Sequence, residues 1–280
     1  LTSEVVNLLV CPHCGGALRE NGASLICSAG HTSNIARQGY VSLLGRDSGT
    51  HTADSAAMVS ARENVLGAGL FEPVASAIAT AAADPGLEGV EGAVLDLGSG
   101  PGYYLERALE AATSRFGLAI DNSKFAARRA ARCHPRAGAI VADIWDGIPV
   151  RSGAFALILN IFAPRNGSEI QRLLTTGARL VTVTPGPDHL KELIEPFSMI
   201  SVDADKEARL LETLGPLAGL MESSALEWNL SLDRSEVSDL VSMGPSAGRM
   251  EPGDFEKALD RLDYPLEVTG SVMVSTAVNS

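Results

Sequence analysis

The sequence predicts an α/β protein, a mostly parallel, doubly wound sheet of seven strands behind a small metal-binding ribbon. Three observations support this. From Ala93 onward, short β-branched apolar runs alternate with amphipathic helical stretches, the pattern of parallel βαβ units with right-handed crossovers. The first of these strands runs into a glycine loop, Gly98-Ser-Gly100-Pro-Gly102, that opens a helix. Three of the 4 cysteines, Cys11, Cys14 and Cys27, are gathered near the front of the chain with His31.

Length and charge set the outer bounds. A chain of 280 residues at 45% hydrophobic content buries one full core and leaves room for a small second module. The expected partition is 1–46 (ribbon), 47–92 (linker and helices) and 93–280 (sheet domain). The opening "LTSEVVNLLV" has no basic n-region, and no stretch reaches the ~18 apolar residues of a membrane span; a cytoplasmic protein with no membrane partner is expected. A net charge of −12 excludes indiscriminate binding to polyanions, since phosphate contacts need local Lys and Arg. Within residues 1–62, Arg19, Arg37, Arg46 and Arg62 balance Glu4, Glu20, Asp47 and Asp54. The excess acid lies further on, so the front is the end expected to face nucleic acid.

The ribbon comes first. Cys11-Pro-His-Cys14 and Cys27-Ser-Ala-Gly-His31 give C-x2-C-x12-C-x3-H, the spacing of a structural zinc site with three thiolates and one imidazole. Gly15-Gly16 and Gly30 suit the tight turns of the two knuckles, and "LRENGASLIC" reads as a hairpin turning at Asn21-Gly22. A redox C-x-x-C is the rival reading, but such motifs open a helix in a βαβ context, and here a Gly-Gly turn follows. Four protein ligands leave no open position, so the ion's role is folding. His13 is surplus to the set, and Cys133, alone on an Ala/Arg-rich helix, reads as a small packing side chain.

Residues 47 to 56, "DSGTHTADSA", read as a linker. A helix starts near Asp54 as N-cap, and a second follows Pro73 as far as Asp84-Pro85-Gly86. Then come the strands "AVLDLG", "FGLAID", "GAIVAD", "FALILNIF" and "RLVTVTPG", with helices between them. "LEWNLSL" and "EVTGSVMVSTAV" predict a closing antiparallel pair at the sheet edge. Helices are expected around 205–214, 235–243 and 254–261.

The glycine loop sits where a doubly wound sheet holds a ligand, at the carboxyl ends of its strands. A dinucleotide fingerprint would need glycine at 103, where Tyr103 stands, so a nicotinamide cofactor is disfavoured. Asp96, Asp121 and Asp143 close three successive strands around the loop. Acids in these places suit a cationic nucleoside, S-adenosylmethionine, bound at the loop of Gly98, Gly100 and Gly102: Asp121 on the ribose hydroxyls, Asp143 on the adenine amino group, and Asp96 supporting the loop or approaching the methionine end. For any one acid, a plain strand-end or cap role is the competing reading.

Taken in order, "CPHCGGAL", the C-x3-H knuckle, "ARQGYVSLL", "ADSAAMVSAR", "LDLGSGPGYY", "DNSKFAARRAARCHP", "NIFAPRN" and "TPGPDHLKEL" resemble the RlmA/TlrB type of 23S rRNA (guanine-N1)-methyltransferase over nearly the whole chain. The resemblance implies a class I (Rossmann-like) S-adenosylmethionine-dependent methyltransferase domain, a zinc ribbon that recognises a 23S rRNA hairpin, and a homodimer. It implies Cys11, Cys14, Cys27 and His31 as ligands of one structural zinc, and brings Phe71, Tyr104, Leu105 and His189 to the methyl donor; Phe71 stands where the family pattern has tyrosine. "NIFAP" in place of an arginine-bearing "RIYAP" points to the macrolide-resistance branch. Two alternatives remain in view: a small-molecule methyltransferase with a zinc lid, and a zinc-ribbon RNA binder without catalysis.

Guanine N1 carries a proton at neutral pH and lies on the pairing edge, so methylation needs an unpaired base, in-line attack and loss of that proton. The end of the fourth strand, Asn160 to Pro164, is the place for the reacting base: Asn160 as a partner of its polar edge, Phe162 as a stacking ring or as ordinary core. His189 is expected to cap a helix, to meet the donor's carboxylate or to relay a proton, the first two being preferred. Arg37, Arg46 and Arg62 are the RNA candidates. Arg128, Arg129, Arg132 and Arg136 read first as a solvated helix face.

Overall fold

The computed structural model describes residues 1–45, 53–199, 214–244 and 250–279. Arg46, most of the linker and nearly all of the helix expected at 205–214 lie outside the described residues. In the ribbon, a helical turn α1 (Ser3–Val6) precedes a three-stranded antiparallel sheet of β1 (Leu18–Asn21), β2 (Ser24–Cys27) and β3 (Thr32–Asn34). Asn21 pairs with Ser24, so the hairpin turns on Gly22 and Ala23, one residue later than expected, with Gly22 at φ +61.

All seven expected strands of the large sheet are present, and an eighth joins them. The parallel core is β5 (Ala93–Leu97), β6 (Gly117–Asp121), β7 (Ala137–Val141), β8 (Phe155–Ile161) and β9 (Leu174–Pro185). Together with β4 (Val41–Ser42), β10 (Glu222–Leu232) and β11 (Leu266–Val278) it has the order β10-β11-β9-β8-β5-β6-β7-β4. β10 and β11 pair antiparallel, as expected, and β11 lies antiparallel against β9. Among the described residues they are joined through two helices, α6 (Arg234–Ser242) and α7 (Pro252–Asp260). The strand order reverses at β5, whose neighbours are β6 and β8, so a crevice opens at its carboxyl end.

Strand alternation divides the interior in two. Val94, Leu157, Leu159 and Val181 face one way and meet α2 (Ala56–Gly67), α3 (Glu72–Ala82), α4 (Tyr103–Ala111) and α5 (Lys124–Ala130). Ala93, Leu95, Leu118, Ile120 and Ile140 face the other way. There the connection from β7 to β8, residues 142–154, contains no helix, and the ribbon fills the place. Val5, Leu9, Leu25 and Val41 are at most 1% exposed and share one apolar cluster with the sheet. Backbone bonds join them: Val10 N–H to the Pro149 carbonyl at 2.9 Å, and Arg151 N–H to the Leu8 carbonyl at 2.9 Å. At Gly138 a Cβ would stand 2.6 Å from Val5 Cγ1, so the ribbon approaches β7 as closely as glycine allows. It is docked into the body.

The helix expected from Asp54 is capped by Ser55, whose side chain accepts the Met58 amide at 3.2 Å; Asp54 instead pairs with Arg62. Among the described residues no single helix is long and apolar enough to cross a membrane.

Candidate active site and metal centre

Each ribbon knuckle is closed by a backbone bond, Gly15 N–H to Cys11 O at 2.8 Å and Gly30 N–H to Cys27 O at 3.0 Å, with both glycines at positive φ. These turns gather Cys11, Cys14, Cys27 and His31, whose ligand atoms all lie within 4.8 Å of one another. Cys14 Sγ is 3.7 Å from Cys27 Sγ, and His31 Nδ1 is 3.5 Å from the sulfurs of both Cys11 and Cys27. Tetrahedral zinc with Zn–S bonds of about 2.3 Å requires sulfurs about 3.7 Å apart, whereas a disulfide would bring them to about 2.05 Å. The set fits structural zinc with Nδ1 of His31 as the nitrogen ligand. The His13 ring packs edge-on against His31, centroids 5.1 Å apart.

At the carboxyl edge of the large sheet lies a cleft of about 510 Å³ whose wall includes Gly98, Gly100, Asp121, Asp143, Trp145 and Phe162. Gly102 at φ +90 starts α4, and a Cβ on it would be 2.9 Å from Cys133, so Cys133 packs beneath the loop. A Cβ on Gly98 would be 2.4 Å from that of Ala163, which keeps the loop against the end of β8. Asp121 accepts the Gly100 amide at 2.9 Å on one oxygen and the Ser123 amide at 2.8 Å on the other. Asp143 accepts the Trp145 amide at 2.9 Å.

Burial holds the Asp121 carboxyl up at about 6, with the two amides and Arg62 opposing and Asp54 adding repulsion. Asp96, 1% exposed, is pushed up to about 8 by burial and then by the charge of Asp121. Asp96 Oδ2 and Ser99 Oγ are buried with no hydrogen-bond partner among the described residues. Acids stacked behind a glycine loop, with orphaned polar atoms beneath it, fit a ligand that is cationic and rich in donors. S-adenosylmethionine is such a ligand. Tyr104 and Leu105, 8% and 0% exposed, support the loop from the first turn of α4.

At the end of β8 the Asn160 side chain is wholly buried, its amide nitrogen donating to the Leu97 carbonyl at 3.3 Å and the Pro164 carbonyl at 2.9 Å. The nitrogen braces the loop against β5, while Oδ1 is buried with no hydrogen-bond partner among the described residues. Phe162 is not core: it is 40% exposed, on the cleft wall, and its backbone sits at φ +52, a conformation costly for a bulky residue. Its ring stacks on His189 at 5.7 Å and meets Phe71 edge-on at 5.8 Å. Phe71 in turn abuts Trp228, whose indole N–H donates to the Leu70 carbonyl.

His189 caps no helix. The Ser271 amide donates to its Nδ1 at 3.2 Å, and burial pulls its pKa down to about 4. The ring is therefore neutral with its proton on Nε2, a hydrogen-bond donor.

The arginines separate by partner. Arg62, expected to face RNA, lies on the cleft wall, paired with Asp54, donating to the Met243 carbonyl at 2.8 Å and touching the site of Gly100. Arg37 is exposed in the turn between β3 and β4. Arg129 pairs with Glu63, and Arg136 donates to the carbonyls of Leu109, Ala112 and Arg115. Arg128 and Arg132 remain exposed beside a second, more open depression of about 690 Å³. Sequence reading passed over Trp145, although an aromatic two residues after a strand-end acid was a visible signal.

A family model described as "RlmA, N-terminal" matches residues 9–46. Over 272 residues the chain is 42% identical to the 23S rRNA (guanine(748)-N(1))-methyltransferase of Streptomyces fradiae, covering 97% of each chain. It is 41% identical to a protein of Micromonospora griseorubida described as a 23S rRNA (guanine-N(1)-)-methyltransferase, covering 95% of this chain and 96% of that one. Among solved structures, the plantazolicin methyltransferase BpumL in complex with SAH aligns over 80% of this chain and 95% of its own, with 15% identity and a TM-score of 0.49.

Proposed function

The chain belongs to the RlmA/TlrB family of 23S rRNA (guanine-N1)-methyltransferases, and from that premise we propose that it methylates N1 of a guanine in a 23S rRNA hairpin loop, with S-adenosylmethionine as donor. The carrying observation is the Gly100–Asp121 bond, which locks the glycine loop to the ribose acid on the wall of a cleft rimmed by Phe162.

When bound, S-adenosylmethionine supplies an electrophilic sulfonium methyl. The chain's own residues hold and orient. Asp121 takes the ribose hydroxyls and Asp143 the adenine amino group. Asp96 with Gly98, Gly100 and Gly102 receives the methionine end, flanked by Tyr104, Leu105, Phe71 and His189. Phe162 stacks on the unpaired guanine, and Asn160 keeps the loop beneath it in place. His189, a donor at Nε2, does not accept the N1 proton at that nitrogen. Most of the rate then comes from alignment, which accounts for about 7–11 kcal/mol in well-oriented reactions.

Residues 1–46 act as the RNA-reading module through Arg37 and Arg46, and Cys11, Cys14, Cys27 and His31 hold its zinc; residues 47–92 connect it to the donor-binding domain at 93–280. We place the enzyme in the cytoplasm as a homodimer, its product protecting the ribosome from a macrolide. Purified protein, labelled donor and 23S rRNA test the reading. Methyl on N1 blocks base pairing, so primer extension is expected to stop at one guanine; label without such a stop overturns the proposal.

A further inference from the structure

Two aromatic side chains stand exposed on the wall of the cleft, Phe162 at 40% and Trp145 at 48%. Phe162 is absorbed by the reaction, and Trp145 is not. A half-exposed indole on a soft loop would fold inward, but this loop is pinned at several points. The Trp145 amide donates to Asp143 at 2.9 Å, the Asn166 side chain to the Ile144 carbonyl at 3.0 Å, and the Ile148 amide to Glu169 at 2.7 Å. Glu169 is itself held by Arg172 at 2.6 Å. The indole is thus presented outward from a rigid mount.

Depth separates what the cleft wall can touch. Ala142 and Asp143, 2% and 7% exposed, form the inner wall, and Trp145 stands at the mouth. The cleft wall carries Asp121 and Asp143, its Arg62 is already paired with Asp54, and the whole chain has a net charge of −12, so phosphates are repelled here. A π-face is the contact an RNA strand can make at this rim without that repulsion. Bases next to an unpaired target lose a stacking partner, and an aromatic side chain restores it with little dependence on sequence.

We propose that Trp145 is a second stacking platform, taking a nucleobase of the hairpin loop that flanks the target guanine. This rests on the reading of the chain as an rRNA methyltransferase. The alternative occupant is the donor's adenine, and the two separate in one experiment. Labelled methyl transfer to a 23S rRNA hairpin is followed for wild type, W145A and W145F, and S-adenosylhomocysteine affinity is measured for each by calorimetry. W145A is expected to raise the hairpin KM about tenfold or more with S-adenosylhomocysteine affinity and melting temperature unchanged, and W145F to restore most of the loss. Wild-type turnover with an unchanged W145A hairpin KM overturns the platform alone, as does weakened S-adenosylhomocysteine binding in W145A. A wild-type chain that binds S-adenosylhomocysteine and labels no hairpin overturns the functional reading and the platform with it.

Discussion

Asp121 and Gly100 are joined by a 2.9 Å hydrogen bond from the loop amide to one carboxylate oxygen, so the strand-end acid and the glycine loop hold each other in place. Replacing Asp121 by Asn removes the charge and leaves the shape. S-adenosylhomocysteine affinity in D121N should fall about tenfold or more, since charge-assisted bonds are worth about 1.5–3 kcal/mol each.

The same carboxyl gives a pH signature. Its pKa is raised from 3.8 to about 6 by burial, so the folded chain holds the proton more tightly than the unfolded chain. The stability this contributes is fully present below 3.8 and is lost as pH rises through about 6. Donor affinity should move the opposite way, rising between pH 5 and 7 as the carboxylate forms. Isothermal calorimetry across this range should show the rise in wild type and a smaller one in D121N, where only Asp96 still titrates.

Zinc removal should unfold more than the ribbon. Val5, Leu9 and Leu25 share a core with Leu118 and Ile140 of the sheet, so chelation should lower the melting temperature of the whole chain by about 10 °C or more, in one transition. Two separate transitions in calorimetry would show that ribbon and body fold apart.

Phe162 sits at φ +52 with its ring 40% exposed. Glycine relieves backbone strain worth about 1–3 kcal/mol and removes the ring. F162G should keep or raise the melting temperature while hairpin methylation falls about a hundredfold. Equal loss of both would assign Phe162 to packing.

Salt dependence distinguishes the arginines. R37Q should reduce the slope of log K against log salt by about one unit if Arg37 meets a phosphate. R62Q, which breaks the bonds to Asp54 and Met243, should leave that slope unchanged and weaken donor binding instead. Filter binding of a hairpin at several salt concentrations measures both.

Much of the fold was legible because local chemistry announces it. The period of the apolar runs gave the seven strands, and the cysteine spacing gave a metal site that folding needed only to close. Glycines and acids at strand ends marked the cleft because any parallel sheet brings its carboxyl ends to one edge. The surroundings of Asn160 and Arg62 were not legible, for the opposite reason. Each side chain has one partner distant in sequence, the Leu97 carbonyl for Asn160 and the Met243 carbonyl for Arg62, and spacing along a chain carries no record of such pairings.

By itself, then, the sequence determined the element types, the metal ligand set and the place of the donor cleft, all of which follow from residue spacing of a few tens at most. Only the tertiary structure decided that the ribbon takes the space of a missing crossover helix and closes on Gly138. The same holds for Phe162 and Trp145, which stand exposed on the cleft wall instead of buried. Burial is a property of the surfaces that meet, and an aromatic residue in a sequence is the same whether its neighbour in space is a leucine or the solvent.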